Sequence, residues 1–278
     1  MIRDFPLGDA PALRERAGAW LASPDPGSGV VPKPAATVMF VRDGPAGVEV
    51  FMLRRVATMA FAPRMMVFPG GGVDARDADT SLPWAGPSPA DWASRLEVAE
   101  STARELVAAA VREVFEESGV LLAGPTADKV IADVSGDHWQ EQRRRLLARE
   151  ASLSEVLTEH ELVLRSDLLG YRSHWITPTF EGRRYDTRFF AAAVPHGQRA
   201  DDLTTEADLA DWVRPADLLA SWRAGEALML PPTIVSVEEV ASAASAATFI
   251  AEQPPIAPVQ PELVQTPQGV VLRARLPR

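Results

Sequence analysis

Three glutamates lie within five residues of one another: Glu113, Glu116 and Glu117, beside Arg112 in the stretch Ala109–Leu122, AAVREVFEESGVLL. At about 100° per residue, Val107, Ala110, Val111, Val114 and Ser118 fall along one side of a helix. Glu116 points almost directly away from that side, with Glu113 and Glu117 on one edge and Arg112 on the other. A helix that buries one face and crowds carboxylates on the other is a platform for divalent cations. Hard cations such as Mg²⁺ or Mn²⁺ want several oxygen ligands and neutralise the repulsion between them.

The helix that must carry these groups is expected from about Leu96 to Ser118, stopped by Gly119. Ahead of it, the runs Ala35–Arg42 and Val48–Arg55 flank Asp43-Gly44-Pro45 and read as a hairpin. A short apolar run, Met65–Phe68, leads into Pro69-Gly70-Gly71-Gly72. Three glycines after a strand imply a sharp turn or close approach of backbone to a ligand. The segment 75–97, with SLPWAGPSPADW, reads as an inserted loop. Residues 127–165 read as a mainly helical block, and its Arg143, Arg144, Arg145 and Arg149 as a solvated helix surface rather than phosphate contacts. From Arg172 the pattern turns β-like through SHWITPTF and RRYDTRFFAAAVP. An acidic loop, Asp201–Asp211, follows, then helices beginning near Pro215 and over Pro232–Phe249, and a last strand over Gly269–Ala274. Residues 1–34 read as a lead-in segment, 35–250 as the main domain and 251–278 as a tail.

The composition narrows the classes. With 278 residues, 46% hydrophobic and 24% charged, the chain suits a soluble globular protein with a substantial core. A net charge of −10 argues against a sequence-independent nucleic-acid binder. It leaves room for a small anionic substrate, since a metal reverses the local potential. The chain has no cysteine, so thiolate chemistry and cysteine-bound zinc are excluded. No window approaches the roughly 18 apolar residues of a membrane span, and no signal pattern opens the chain, so a cytoplasmic location is expected. The four histidines, His138, His160, His174 and His196, lack metal-ligand spacing.

The segment REVFEESGV, Arg112–Val120, resembles the second half of the signature of the Nudix hydrolases, G-x5-E-x7-R-E-U-x-E-E-x-G-U with U bulky and apolar. Phe68-Pro69-Gly70-Gly71 is similar to the usual approach to that box. Aligned backward from Arg112, the first half departs from the pattern: Arg104 stands where a glutamate is expected, and 32 residues separate it from Gly71 instead of five. Glu105, seven positions before Arg112, is expected to take over the task of orienting it. The interruption resembles the branch that contains the mammalian peroxisomal coenzyme A diphosphatase, as do WITPTF, RRYDTRFF and MLPPT (Met229–Thr233).

The resemblance implies a Nudix α/β/α sandwich with a mixed sheet and an added helical block. It implies Mg²⁺ or Mn²⁺ held by Glu113, Glu116, Glu117 and the Gly70 carbonyl, with Arg112 holding the carboxylates by charge-assisted hydrogen bonds. The base is expected from a separate loop, at Glu206, with Asp208 behind it. Arg55, Arg184 and Tyr185 are the candidate substrate contacts. The implied reaction is hydrolysis of a nucleoside diphosphate linked to another moiety, with coenzyme A or acyl-coenzyme A leading. ADP-ribose, a dinucleotide or a nucleoside triphosphate is the alternative, and a non-catalytic ligand-binding regulator is the rival of another class.

Overall fold

The computed structural model describes residues 1–7, 11–23, 29–57, 62–203 and 207–277. Its centre is a mixed sheet. The order is β11 (Ala207–Val213), β3 (Gly47–Arg55), β2 (Lys33–Gly44), β10 (Tyr185–Ala193), β9 (Gly170–Ile176) and β12 (Pro258–Val259). The short β4 (Met66–Val67) adds to β3, and β5 (Gly70–Gly72) adds to β2. The expected hairpin forms, with Val41 opposite Val50 and Gly44 opposite Gly47. Beside it β10 runs parallel to β2, which makes the sheet mixed.

Side chains alternate across the strands, as a period of two requires. Val38, Phe40, Phe51, Leu53 and Phe190 join one apolar layer; Met39, Val41, Val50, Met52 and Phe189 join the other. Helix α3 (Glu100–Ser118) covers the first face, and α6 (Pro215–Arg223), α7 (Pro231–Ala241) and α8 (Ala246–Ala251) cover the second. Helix α1 (Pro11–Leu21) adds Leu13 and Ala17 to that second layer. This is an α/β/α sandwich, as expected.

The inserted segment is not a loop. It begins with a 3₁₀ turn at Ala75–Ala78, adds β6 (Trp84–Ala85) and continues into α2 (Pro89–Leu96). Ser88 and Asp91 cap α2 reciprocally, and Trp92 is buried edge-on against Phe190 of the sheet. Pro and Gly in SLPWAGPSPADW are therefore boundaries of a folded unit. Glu97, in the left-handed conformation (φ 55°), ends α2, so α3 starts at Glu100 rather than near Leu96. A small sheet ties the insert to the helical block, with β8 (Val163–Arg165) between β6 and β7 (Ala123–Gly124). That block holds α4 (Asp137–Leu147) and α5 (Leu153–Glu159).

At the chain ends, β1 (Ile2–Pro6), β14 (Gly269–Arg275) and β13 (Glu262–Thr266) make a third sheet. Phe5, Leu272 and Ala274 carry it into the second apolar layer. Among the described residues, no helix is long and apolar enough to cross a membrane.

Candidate active site

The carboxylate helix is buried nearly all round. From Leu106 to Val120 every residue except Glu113 is buried, because α4 and α2 cover what would otherwise be its outer face. Phe115 packs edge-on against Trp139 of α4. The carboxylate face is thus enclosed rather than open to solvent, and Glu116 is only 7% exposed.

Arg112 explains how buried carboxylates are tolerated there. Its Nε and Nη2 donate to the two oxygens of Asp77, each at 2.9 Å. Nη2 also donates to the Gly72 carbonyl at 3.0 Å. Nη1 reaches Glu113 at 2.8 Å and Glu116 at 3.1 Å. A guanidinium has five N–H donors, and these five bonds use them all. The planar fork matches a carboxylate edge, which is why Asp77 takes two parallel bonds.

Asp77 was missed in the sequence reading. It lies in the 3₁₀ turn of the insert, 3% exposed, and accepts a further bond from the Asp74 N–H at 2.8 Å. The signal was available: Asp77 stands six residues after Gly71, the spacing of the glutamate in G-x5-E. The extra residues enter after that position, not before it. Glu105 is not among the partners of Arg112, and Arg104 rests over the Trp84 ring instead.

The glycines set the opposite wall. A Cβ on Gly70 would stand 2.5 Å from the Ala36 carbonyl and 2.6 Å from Thr37 Cα, so β5 can lie against β2 only with glycine there. A Cβ on Gly71 would strike the Glu113 carboxylate at 2.5 Å. The Gly70 N–H donates to Glu117 Oε2 at 2.7 Å. Glu113 and Glu117, one helical turn apart, consequently share one wall with Gly70, Gly71 and Gly72 in a cavity of about 560 Å³.

Burial raises the Glu113 carboxyl to about 7, with Arg112 opposing the rise and Glu116 adding to it. Burial also raises Glu116, again opposed by Arg112. Glu116 Oε1 is buried with no hydrogen-bond partner. An orphaned carboxylate oxygen beside two further carboxylates is the donor set of a hard dication, so Glu113, Glu116 and Glu117 fit Mg²⁺ or Mn²⁺ chemically. Among the described residues, no three acidic or histidine side chains already converge on one point, since Arg112 holds Glu113 and Glu116 and the Gly70 amide holds Glu117.

The other expected contacts separate. Arg55, Arg183 and Tyr185 line the cavity, with Arg149 of the helical block. Arg55 Nε is buried with no partner among the described residues. Arg184 does not join them. It is buried and spent on the carbonyls of Thr177 (2.9 Å) and Val30 (2.8 Å) and on Gln260 Oε1 (3.0 Å), which makes it a strut and corrects its expected substrate role.

Arg143 is likewise no surface residue. Its Nε donates to the Glu116 carbonyl at 2.8 Å, and Nη1 pairs with Asp201 at 2.7 Å. Arg144 pairs with Glu141 and Glu150, as a solvated face would have it. Glu206 lies outside the described residues, and Asp208 pairs with Arg54 at 2.6 Å.

An α/β/α sandwich whose glycine strand faces a helix reading Arg-Glu-x-x-Glu-Glu defines the class, and the chain belongs to the Nudix hydrolases. Residues 94–240 match the family model described as the NUDT19 Nudix domain. The chain is 28% identical over 198 residues to nudix hydrolase 7 of Caenorhabditis elegans, covering 67% of this chain and 53% of that one. It is 27% identical over 234 residues to the acyl-coenzyme A diphosphatase NUDT19 of Gallus gallus, covering 68% and 60%. The chain thus spans little more than half the length of these relatives. The crystal structure of a NUDIX hydrolase from Alicyclobacillus acidocaldarius superposes with a TM-score of 0.67 at 26% identity, covering 80% of this chain and 97% of that one.

Proposed function

We propose that the chain is a metal-dependent diphosphatase acting on a nucleoside diphosphate joined to a second moiety, with coenzyme A or acyl-coenzyme A as substrate. The products are 3′,5′-ADP and a phosphopantetheine. One observation carries this reading: a single cavity is lined by carboxylates (Glu113, Glu117), guanidinium groups (Arg55, Arg149, Arg183) and apolar rings (Trp175, Phe180, Phe189). The guanidinium groups suit phosphates, Tyr185 suits a base, and the apolar lining suits a pantetheine arm. The naming of relatives as acyl-coenzyme A diphosphatases supports the same substrate class.

Glu113, Glu116 and Glu117 would hold the metal, with the Gly70 carbonyl beside them. The bound dication supplies charge stabilisation at the diphosphate oxygens and an acidified water. Arg112 orients Glu113 and Glu116 and opposes the rise that burial imposes on their pKa values. Asp201 fixes the start of the acidic loop to the end of α3, its N–H bonded to the Ser118 carbonyl at 2.9 Å. From that loop Glu206 is our candidate for the base that takes the proton of the attacking water.

Incubation with Mg²⁺ or Mn²⁺ and a panel of coenzyme A, acyl-coenzyme A, ADP-ribose, NADH and dNTPs tests the reading. The expected outcome is release of 3′,5′-ADP from the coenzyme A substrates at the highest kcat/KM. Preference for ADP-ribose or dNTPs would remove the substrate assignment, and binding without hydrolysis would favour a regulator.

The metal assignment has a separate thermodynamic signature. Metal-free, Glu113 holds its proton in the folded state up to about pH 7 but releases it in the unfolded chain near its ordinary value of 4.5. Between those values the folded state binds more protons, so its contribution to stability is full below the unfolded pKa and lost as pH rises to about 7. A dication replaces that proton. The Mg²⁺-induced rise in Tm is therefore expected to be small at pH 5 and larger at pH 8. Equal shifts in the two buffers by calorimetry would argue against Glu113 as a ligand.

A further inference from the structure

Two of the four histidines, 22 residues apart in sequence, meet on the outer surface of the helical block. His138 is the second residue of α4, and His160 is the residue that closes α5. Their Nε2 atoms stand 3.2 Å apart. The ring centroids are 4.6 Å apart with the planes at 88°. A head-on N–H···N contact would add a full ring radius at each end of that 3.2 Å, and the rings are closer than this. The rings are therefore tilted from a head-on contact, with the two Nε2 atoms at their point of approach.

That spacing is a ligand bite. Two nitrogens each about 2.0–2.1 Å from a tetrahedral ion stand about 3.3 Å apart. We propose that His138 and His160 form a second metal site, through both Nε2 atoms, for a borderline transition dication such as Zn²⁺, Ni²⁺ or Cu²⁺. Imidazole nitrogen selects these ions over Mg²⁺ and Mn²⁺, which the all-oxygen set on α3 suits. The two sites thus divide dications by ligand softness.

Three surrounding features favour the site. Trp139 packs against both rings, at 5.6 Å from His138 and 4.7 Å from His160, and so limits their rotation. Burial and the neighbouring His138 lower the pKa of His160, leaving its ring neutral and its lone pair available. Glu159, adjacent in sequence, is held by Arg145 at 2.7 and 3.1 Å and offers an oxygen if that pair opens. Water completes the shell. Binding through both Nε2 atoms needs both rings to carry their protons on Nδ1, so the ring that donates in the pair shifts its proton from Nε2 to Nδ1 and no proton is released overall.

An ion here would bind the start of α4 to the end of α5. It would thereby stiffen the block whose Arg143 reaches the Glu116 carbonyl and whose Trp139 packs on Phe115. The site itself does not depend on the reaction proposed above.

The test is calorimetric titration of the chelator-stripped full chain with ZnCl₂ and, separately, NiCl₂. Parallel titrations use His138→Gln, His160→Gln and the carboxylate variant Glu113→Gln/Glu117→Gln. One binding event is expected to weaken at least tenfold in each histidine variant and to persist in the carboxylate variant. Mg²⁺ binding should follow the opposite pattern. Both histidines are at the surface, and either single variant suffices if the other proves unstable. Unchanged Zn²⁺ and Ni²⁺ isotherms in both histidine variants would overturn the proposal. So would loss of all Zn²⁺ binding in the carboxylate variant alone.

Discussion

Asp77→Asn is expected to lower thermal stability and turnover together, while Glu105→Gln leaves both near wild type. Asp77 is the only partner that binds Arg112 through two oxygens, and both groups are about 3% exposed. Removing one charge of a buried pair leaves the other without compensation, at a cost of about 3–5 kcal/mol. Asn keeps the shape and can still accept one bond, so the lower end of that range is expected. Turnover falls for a different reason. Without Asp77, the freed guanidinium donors turn to Glu113 and Glu116, which on the proposed reading hold the metal. Loss of an outer partner of this kind typically costs about 10–100-fold. Asp77→Glu restores charge with one more methylene and is expected to recover most of the activity. Thermal denaturation and kcat at saturating Mg²⁺ read both effects. An Asp77→Asn protein as stable and active as wild type would falsify the assignment of Asp77 to the broken half of the signature.

How Asp77 was overlooked shows what spacing can and cannot say. Counting backward from Arg112 assumes that the glutamate and arginine lie on one continuous stretch. Here 34 residues intervene between positions 77 and 112, and the pair is made by tertiary contact. Counting forward from Gly71 finds it, provided aspartate is allowed where glutamate is usual. The run Arg183-Arg184-Tyr185 divides in another way: the two arginines precede β10, and Arg183 and Tyr185 line the cavity while Arg184 is held by the Thr177 and Val30 carbonyls.

Other features were not legible. The hairpin and the helix stop at Gly119 follow from period and glycine placement. The burial of Glu116 does not, because a helical wheel shows which side is apolar but not what covers the polar side. Arg143 stands beside Arg144 in a run of three arginines, yet one is buried against the Glu116 carbonyl and the other pairs at the surface. Only the packing of α4 across α3 separates them. The pairing of His138 with His160 has the same origin, two helix ends brought together by a turn.

Glu117→Gln is expected to have the largest catalytic effect with the least structural disturbance. Its Oε2 accepts the Gly70 N–H at 2.7 Å, and a glutamine carbonyl can accept the same bond. Glu116→Gln is a less clean experiment, since Glu116 is also a partner of Arg112. Glu113→Gln is confounded in the same way. On the proposed reading, Glu117 contributes one anionic oxygen to a dication that stabilises charge on the oxygens of the diphosphate being cleaved, worth several kcal/mol in the transition state. At about 1.4 kcal/mol per tenfold, its loss lowers kcat by roughly 10²–10⁴-fold. The Mg²⁺ concentration for half-maximal rate should rise, while Tm in chelator stays near that of wild type. A loss below tenfold with an unchanged Mg²⁺ dependence would mean that Glu117 only buttresses the glycine strand. The metal would then have to be held by Glu113 and Glu116 without it.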